Sequence, residues 1–590
     1  MTDAAAQVEA ARKALAEAEA ALAAENAAPR VEPVETSPTP NAGETSTSSI
    51  RDSTGPLDPA DVDAIRAGYA FAGDVLEMGA LVNGDARADV PVRIPIAMLN
   101  RHGLVAGATG TGKTKTLQVL AEQLSAAGVP VFAADIKGDL SGIASPGTEN
   151  PKLLERTAGI GQSWQAAASP TEYYTLGGLG TGIPIRATVS SFGPLLLSKV
   201  LGLNDTQESS LGLVFHYADK AGLPLLDLTD LRAVLNFLTS AEGKGELKEL
   251  GGLSSATAGV ILRELITFSD QGADVFFGEP EIDTSLFLRT DASGRGLVSL
   301  LEIPGVQDKP ALFSTFLMWL LADLFNDLPE VGDIDKPKLV FFFDEAHLLF
   351  KNASSDFIES ITQTVRLIRS KGVGIVFVTQ TPKDVPNDVL AQIGSRVQHQ
   401  LRAHTPDDAK ALRSTVSTYP TSGYNLGEVL TSLATGEAII TVMNEKGAPT
   451  PVAWTRLRAP QGSMSPTPAD VMAATVAASP LLAQYGTVVD RESAREMLAA
   501  KMDAAAAATA ATVTAAADAK AAEKAQADMA RAQREWEREA AKGRAKTPAA
   551  PRRTTTKKQP NVIEDVLGSR AGQTVVREVL RGIFGTLKRR

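Results

Sequence analysis

Residues 104–114 read Leu-Val-Ala-Gly-Ala-Thr-Gly-Thr-Gly-Lys-Thr, and this stretch decides the fold. The apolar run Leu104 to Ala106 leads into the octet Gly107-Ala108-Thr109-Gly110-Thr111-Gly112-Lys113-Thr114, and a helical run, KTLQVLAEQL, follows from Lys115. A glycine-rich loop set between a strand and a helix is the phosphate-binding pattern. Its glycines let the backbone curl, so that successive N–H groups and the helix N-terminus face the phosphates. Residues Gly107 to Lys115 are therefore expected to hold ATP, with the Lys113 ammonium on the β and γ phosphates and the Thr114 hydroxyl on Mg2+.

Moving outward, residues 338–345 read Lys-Leu-Val-Phe-Phe-Phe-Asp-Glu, an apolar strand that ends in two acids. Such a strand is buried in a sheet, and its carboxyl end emerges on the rim where open α/β sheets receive ligands. Asp344 there would hold Mg2+, partly through water, while Glu345 would orient and deprotonate the attacking water. Hydrolysis, and not binding alone, is the expectation, in a P-loop ATPase of the additional-strand, catalytic-glutamate kind. Residues 344–347 spell Asp-Glu-Ala-His, but the Ser-Ala-Thr triplet that superfamily-two helicases carry soon after this tetrad is absent here. A further run, VRLIRSKGVGIVFVTQTPKDVP from Val365, closes a strand on Thr379 and Gln380, and Gln380 is placed to sense the γ phosphate. Asp135, Lys137 and Asp139 end the strand after the P-loop helix; Asp139 is either an acid behind a magnesium-bound water or a loop cap.

Strand-like runs at 104–106, 131–134, 297–302, 339–343, 374–379, 396–401 and 438–442 alternate with helical ones, the pattern of a parallel sheet flanked by helices. The expected fold is α/β, a RecA-like P-loop core over residues 56–460 with a helical insertion at about 200–280. Residues 1–25 place Val8, Leu15 and Leu22 seven apart in an alanine-rich helix, either a short coiled-coil seam or a solvated helix. Residues 26–55 are rich in Pro, Ser, Thr and Glu and read as a disordered linker. A helical extension is expected over 461–500, an alanine-rich then basic low-complexity segment over 501–560, and a small amphipathic basic tail over 561–590.

The chain has no cysteine, which excludes disulfides, thiolate metal sites and cysteine nucleophiles and fits a reducing compartment. The first 25 residues lack a basic start and an apolar stretch, so no signal peptide is expected. The most apolar run, Leu312 to Phe325, carries Asp323 and is shorter than the ~20 residues a bilayer requires. It reads as a buried helix, and a soluble, cytoplasmic protein with no membrane span is the expectation. Residues 542–590 hold 13 Lys and Arg against three acids, a net +10, so the remainder of a chain totalling −11 stands at −21. A basic tail on an acidic body is either an arm for nucleic acid or anionic lipid, or a solvated appendage.

Taken together, residues 100–120, 134–142, 343–348 and 366–402, with Gly436-Glu437-Ala438, resemble the HerA/FtsK superfamily of hexameric pumping ATPases. Within it the chain is most similar to the HerA-like YjgR family of bacterial proteins. The resemblance implies a homohexamer and an arginine acting on the neighbouring subunit's ATP from just before a Gly-Val-Gly turn; Arg369, before Gly372-Val373-Gly374, fits that place. It also implies double-stranded DNA as the substrate, with a protein-remodelling or secretion-type ATPase and a nucleotide-gated scaffold as alternatives. HerA proper begins with a β-barrel docking domain that the residues before the loop do not match, so its nuclease partnership is not carried over.

Overall fold

The computed structural model describes residues 56–247, 251–303, 310–332, 334–350 and 355–543. The expected seam helix, the linker and the 561–590 tail lie outside the described residues. Among those described, twelve strands form one sheet. They are β1 (Val75–Asn83), β2 (Asp85–Pro95), β3 (Gly103–Ala106), β4 (Val131–Asp135), β5 (Thr171–Leu176) and β6 (Ile183–Ile185), followed by β7 (Val298–Glu302), β8 (Leu339–Phe343), β9 (Val373–Thr379), β10 (Ser395–Gln398), β11 (Glu437–Val442) and β12 (Ala453–Leu457).

The order is β2-β1-β12-β11-β10-β3-β9-β8-β4-β7-β5-β6. From β10 to β6 every pairing is parallel, and from β2 to β10 every pairing is antiparallel. Strands β3, β4, β7, β8 and β9 are buried at every position, because helices cover both faces of a parallel sheet. Leu339, Phe341 and Phe343 of β8 face one core; Val340 and Phe342 face the other. The apolar helix Pro310–Asp327 lies in the first of these, with Phe313, Phe316, Leu317 and Leu320 fully buried, so its hydrophobicity serves the core. No helix of the described residues is long and apolar enough to cross a membrane.

Strand β9 is the additional strand: it pairs with β3 on one side and β8 on the other, separating the loop's strand from the acid-tipped one. The chain then crosses β3 to form β10, so the sheet order reverses at the P-loop strand, the position where open α/β sheets bind ligands.

Five strands, β1, β2, β5, β6 and β12, were not expected from the sequence. The β1–β2 hairpin turns at Asn83-Gly84, with Gly84 at φ +81°, and its β1 strand joins β12. An Asn-Gly pair between such runs is a hairpin signal in its own right. The run expected at 396–401 is also shorter as a strand, ending at Gln398 because His399 and Gln400 bend beneath the P-loop.

The helical insertion lies between β6 and β7 and contains helices Asp205–Lys220, Leu228–Thr239 and Ser255–Asp270, capped by the side chains of Asn204, Asp227 and Ser254. One helix runs unbroken from Ala494 to Gly543, through the boundary expected at residue 500. Its first turns are bound to the insertion: Ala494 N donates to Pro224 O at 3.0 Å, and Lys501 pairs with Glu246 at 2.9 Å. Beyond Lys501 it is exposed, including Trp536 at 70%.

Candidate active site

The loop after β3 is held from below by the end of β10. Ala108 N donates to Gln400 O at 2.8 Å, and Gly436 N donates to Thr111 O at 3.1 Å. A Cβ on Gly107 would lie 2.4 Å from the His399 Cβ, so only glycine lets β10 pass this close. Gly112 takes φ +109° to turn the loop into the helix Lys113–Ala126. Beneath it His399 is fully buried and bonds Thr116 Oγ1 at 2.9 Å. Burial and the nearby Lys113 charge push its imidazole down to about 4, so it is neutral.

Lys113 curls over the loop, its Nζ donating to Gly107 O at 2.7 Å and Ala108 O at 3.2 Å. Burial lowers its ammonium below the usual lysine range. Thr114 Oγ1 donates to Asp139 Oδ2 at 3.1 Å. Lys115 Nζ reaches Gln118 Oε1 at 3.4 Å and Asp139 O at 3.5 Å, so its side chain is engaged by the segment after β4. Asp135, at the end of β4, shapes that segment by accepting the N–H groups of Gly138 and Leu140, both at 2.8 Å.

Across β9, the end of β8 brings Asp344 and Glu345 to the same rim. Both are buried. Burial first, then the charge of Glu345, pushes the Asp344 carboxyl up to about 7. Glu345 stands at φ +48°, a left-handed conformation that a non-glycine residue rarely adopts and that clusters at functional sites. Its N–H donates to Asp344 Oδ1 at 2.9 Å. Burial pushes the Glu345 carboxyl up, but the hydrogen bond and charge of Lys137 outweigh it and hold the group below its ordinary value. Glu302, paired in register with Asp135, is pushed up to about 8 by burial, then by Asp135 and Asp139.

Gln380 is exposed at the end of β9, in a cleft of about 260 Å³ shared with Ala108, Thr109, Lys383, Arg402 and His404. Thr379 is buried and spends its hydroxyl on Asp384 at 2.7 Å. Arg402 Nη2 donates to Thr109 O at 3.3 Å, so this arginine stands beside its own loop. Arg369 does not join the cluster. It lies in the turn Arg369–Lys371 before β9, at the opposite end of a seven-residue strand that spans about 20 Å.

Lys113, Thr114, Asp344, Glu345 and Gln380 thus converge on one rim, and Arg369 stands on the other. Sequence reasoning missed Lys137 as the partner of Glu345, Glu302 as a buried acid beside Asp135, and His399 as the floor of the loop. The Asp-x-Lys-x-Asp spacing at 135–139 was visible; a bond between residues 208 apart was not. The donor set suits a hard cation. A hydroxyl on Thr114 and a carboxyl on Asp344 face the rim, while Asp139 Oδ1 is buried without a hydrogen-bond partner.

A phosphate-type loop at the carboxyl rim of a parallel sheet, with an acid-tipped strand beyond one added strand, defines the class: a P-loop ATPase. The family model for the helicase HerA-like C-terminal region matches residues 81–590. The chain belongs to that family and is a P-loop ATPase of the HerA/FtsK type. It is similar to the DNA double-strand break repair helicase HerA of Sulfurisphaera tokodaii, 23% identical over 377 residues, which cover 63% of this chain and 67% of that one. The HerA helicase of Saccharolobus solfataricus is 23% identical over 392 residues, covering 65% and 69%. Among solved structures, the unbound bacterial conjugative coupling protein TrwB is 16% identical, with a TM-score of 0.48 over 69% of this chain and 94% of that one. The plasmid coupling protein TrwB in complex with ADP and Mg2+ is 17% identical, with a TM-score of 0.47 over 69% and 93%.

Proposed function

We propose that this ATPase works as a ring of six copies that moves duplex DNA, and that Arg369 of each copy completes the neighbour's active site. The single observation that carries the assembly is the separation of the two rims. Arg369 and its own loop lie at opposite ends of β9, a strand about 20 Å long and beyond the reach of a side chain, which supports a role for Arg369 on another copy's phosphate. The DNA reading rests on the family and on the basic 542–590 segment.

In this reading Lys113 leaves its loop carbonyls for the β and γ phosphates. Thr114 and Asp344, the latter partly through water, would hold Mg2+, which would supply positive charge against the phosphates. Glu345 takes the proton of the attacking water, and Gln380 senses whether the γ phosphate is present. Arg369 offsets charge on the transferring phosphoryl group of the adjoining copy.

The test is the ATPase rate with and without double-stranded DNA across a salt series. Stimulation that fades steeply with salt is expected. Truncation after Gly543 should weaken DNA binding and leave basal turnover near normal, because it removes positive charge and none of the loop. Stimulation by unfolded polypeptide and not by DNA would move the reading to a protein-remodelling ATPase.

A further inference from the structure

We infer that Lys137 is a positioning residue: it holds one oxygen of the Glu345 carboxylate so that the other faces the attacking water. This rests on the reading of Glu345 as the base. Lys137 Nζ donates to Glu345 Oε1. The second oxygen, Oε2, is buried and has no hydrogen-bond partner; His347 Nδ1 lies 3.2 Å away without the alignment of a bond. A buried carboxylate oxygen left unsatisfied is costly unless something else comes to it. At this rim, that visitor is a water molecule aimed at a phosphate.

Both ends of the pair are fixed. Glu345 is pinned through its backbone by φ +48° and by its N–H on Asp344 Oδ1 at 2.9 Å. Lys137 springs from a turn that Asp135 ties down through the N–H groups of Gly138 and Leu140. What remains loose in a glutamate is its terminal torsion, which is broad and two-fold. The lysine removes that freedom, as a third group orients the base in other hydrolytic sites. The pair is unlike an ordinary surface ion pair, which contributes little. The Lys137 side chain is 40% exposed, but that of Glu345 is only 6% exposed.

In the step itself the water oxygen forms its bond to the γ-phosphorus and its proton passes to Oε2. The bond from phosphorus to the bridging oxygen breaks, and the electron pair leaves on ADP.

The experiment compares Lys137→Met, Lys137→Arg, Glu345→Gln and the double variant Lys137→Met/Glu345→Gln in the full-length chain, reading kcat, KM for ATP, ATP affinity and Tm. Lys137→Met should lower kcat ~10-fold or more while KM and ATP affinity stay within about twofold. Lys137→Arg should recover part of the rate. The double variant should be no slower than Glu345→Gln alone, because both changes disable the same group. A Lys137→Met enzyme with normal kcat beside a dead Glu345→Gln enzyme overturns this inference and spares the reading of the base. A Glu345→Gln enzyme that turns over normally overturns both. A parallel fall in Tm, affinity and rate for Lys137→Met, unrelieved by arginine, assigns the lysine to structure and overturns the inference as well.

Discussion

The two rims of the parallel sheet are built from the same strands and differ in almost everything else. At the carboxyl rim, backbone N–H groups, Lys113 and Lys137 face Asp135, Asp139, Glu302, Asp344 and Glu345, and burial drives three of those acids toward their neutral forms. At the amino rim the turn before β9 presents Arg369, and Arg396, the second residue of β10, donates to Thr418 Oγ1 at 2.9 Å. Acids need a cation and phosphates need positive charge, so each rim holds what the other lacks. A strand carries its first and last residues to opposite sides of the molecule, and in the proposed ring one chain would therefore offer half of two sites.

The severest way to break this comparison is to disable the carboxyl rim. Lys113→Ala should abolish tight ATP binding and turnover together. Glu345→Gln should keep ATP binding and lose turnover by ~10²- to 10⁴-fold, measured as single-turnover hydrolysis beside equilibrium nucleotide binding. Normal turnover by Glu345→Gln would end the assignment of the base.

A change at the amino rim tests whether the halves belong to different copies. Arg369→Ala should bind ATP normally and turn over roughly 10³-fold more slowly. Mixed with Lys113→Ala, which still carries Arg369, it should regain part of the activity at junctions where the two defects fall on different sites. Native mass measurement would show whether the copies co-assemble. Co-assembled mixtures that stay inactive would mean that Arg369 acts in cis or that another arginine, Arg366, Arg396 or Arg402, does the work.

The smallest effect sharpens the electrostatic contrast. Glu302 is raised from 4.5 to about 8, so its folded form favours the proton. Its contribution to stability is fully present below 4.5 and is lost as pH rises through 8. Glu302→Gln keeps the neutral form at every pH. In nucleotide- and metal-free protein its Tm should exceed that of the parent above pH 8, with the gap closing toward the acid end. Equal slopes of Tm against pH for the two proteins would show that the carboxyl is ionised without penalty.

Much of the carboxyl rim was legible in the sequence because it is written in short contiguous runs. The octet at 107–114 and the tip of β8 each combine an element boundary with a chemical group, and both fall where they were expected. The strands that went unseen have a different reason. β2 begins Asp-Ala-Arg-Ala-Asp and is exposed over that end, so hydropathy alone reads it as a loop. β6 is three residues long and exists because β5 pairs with it. The Lys137–Glu345 bond and the His399 floor are tertiary, set by which strands become neighbours, and no local pattern encodes that. The boundary expected at 500 vanished because alanine continues a helix whether or not anything packs on it.

The helix Ala494–Gly543 has the proportions of a lever. At 1.5 Å per residue its 50 residues extend about 75 Å, and its fulcrum is the short stretch where Ala494 and Lys501 grip the insertion. A tilt of about 5° at that fulcrum would carry the far end through some ~6 Å, more than one helical turn. A displacement too small to disturb the sheet would thus be magnified roughly tenfold along the helix.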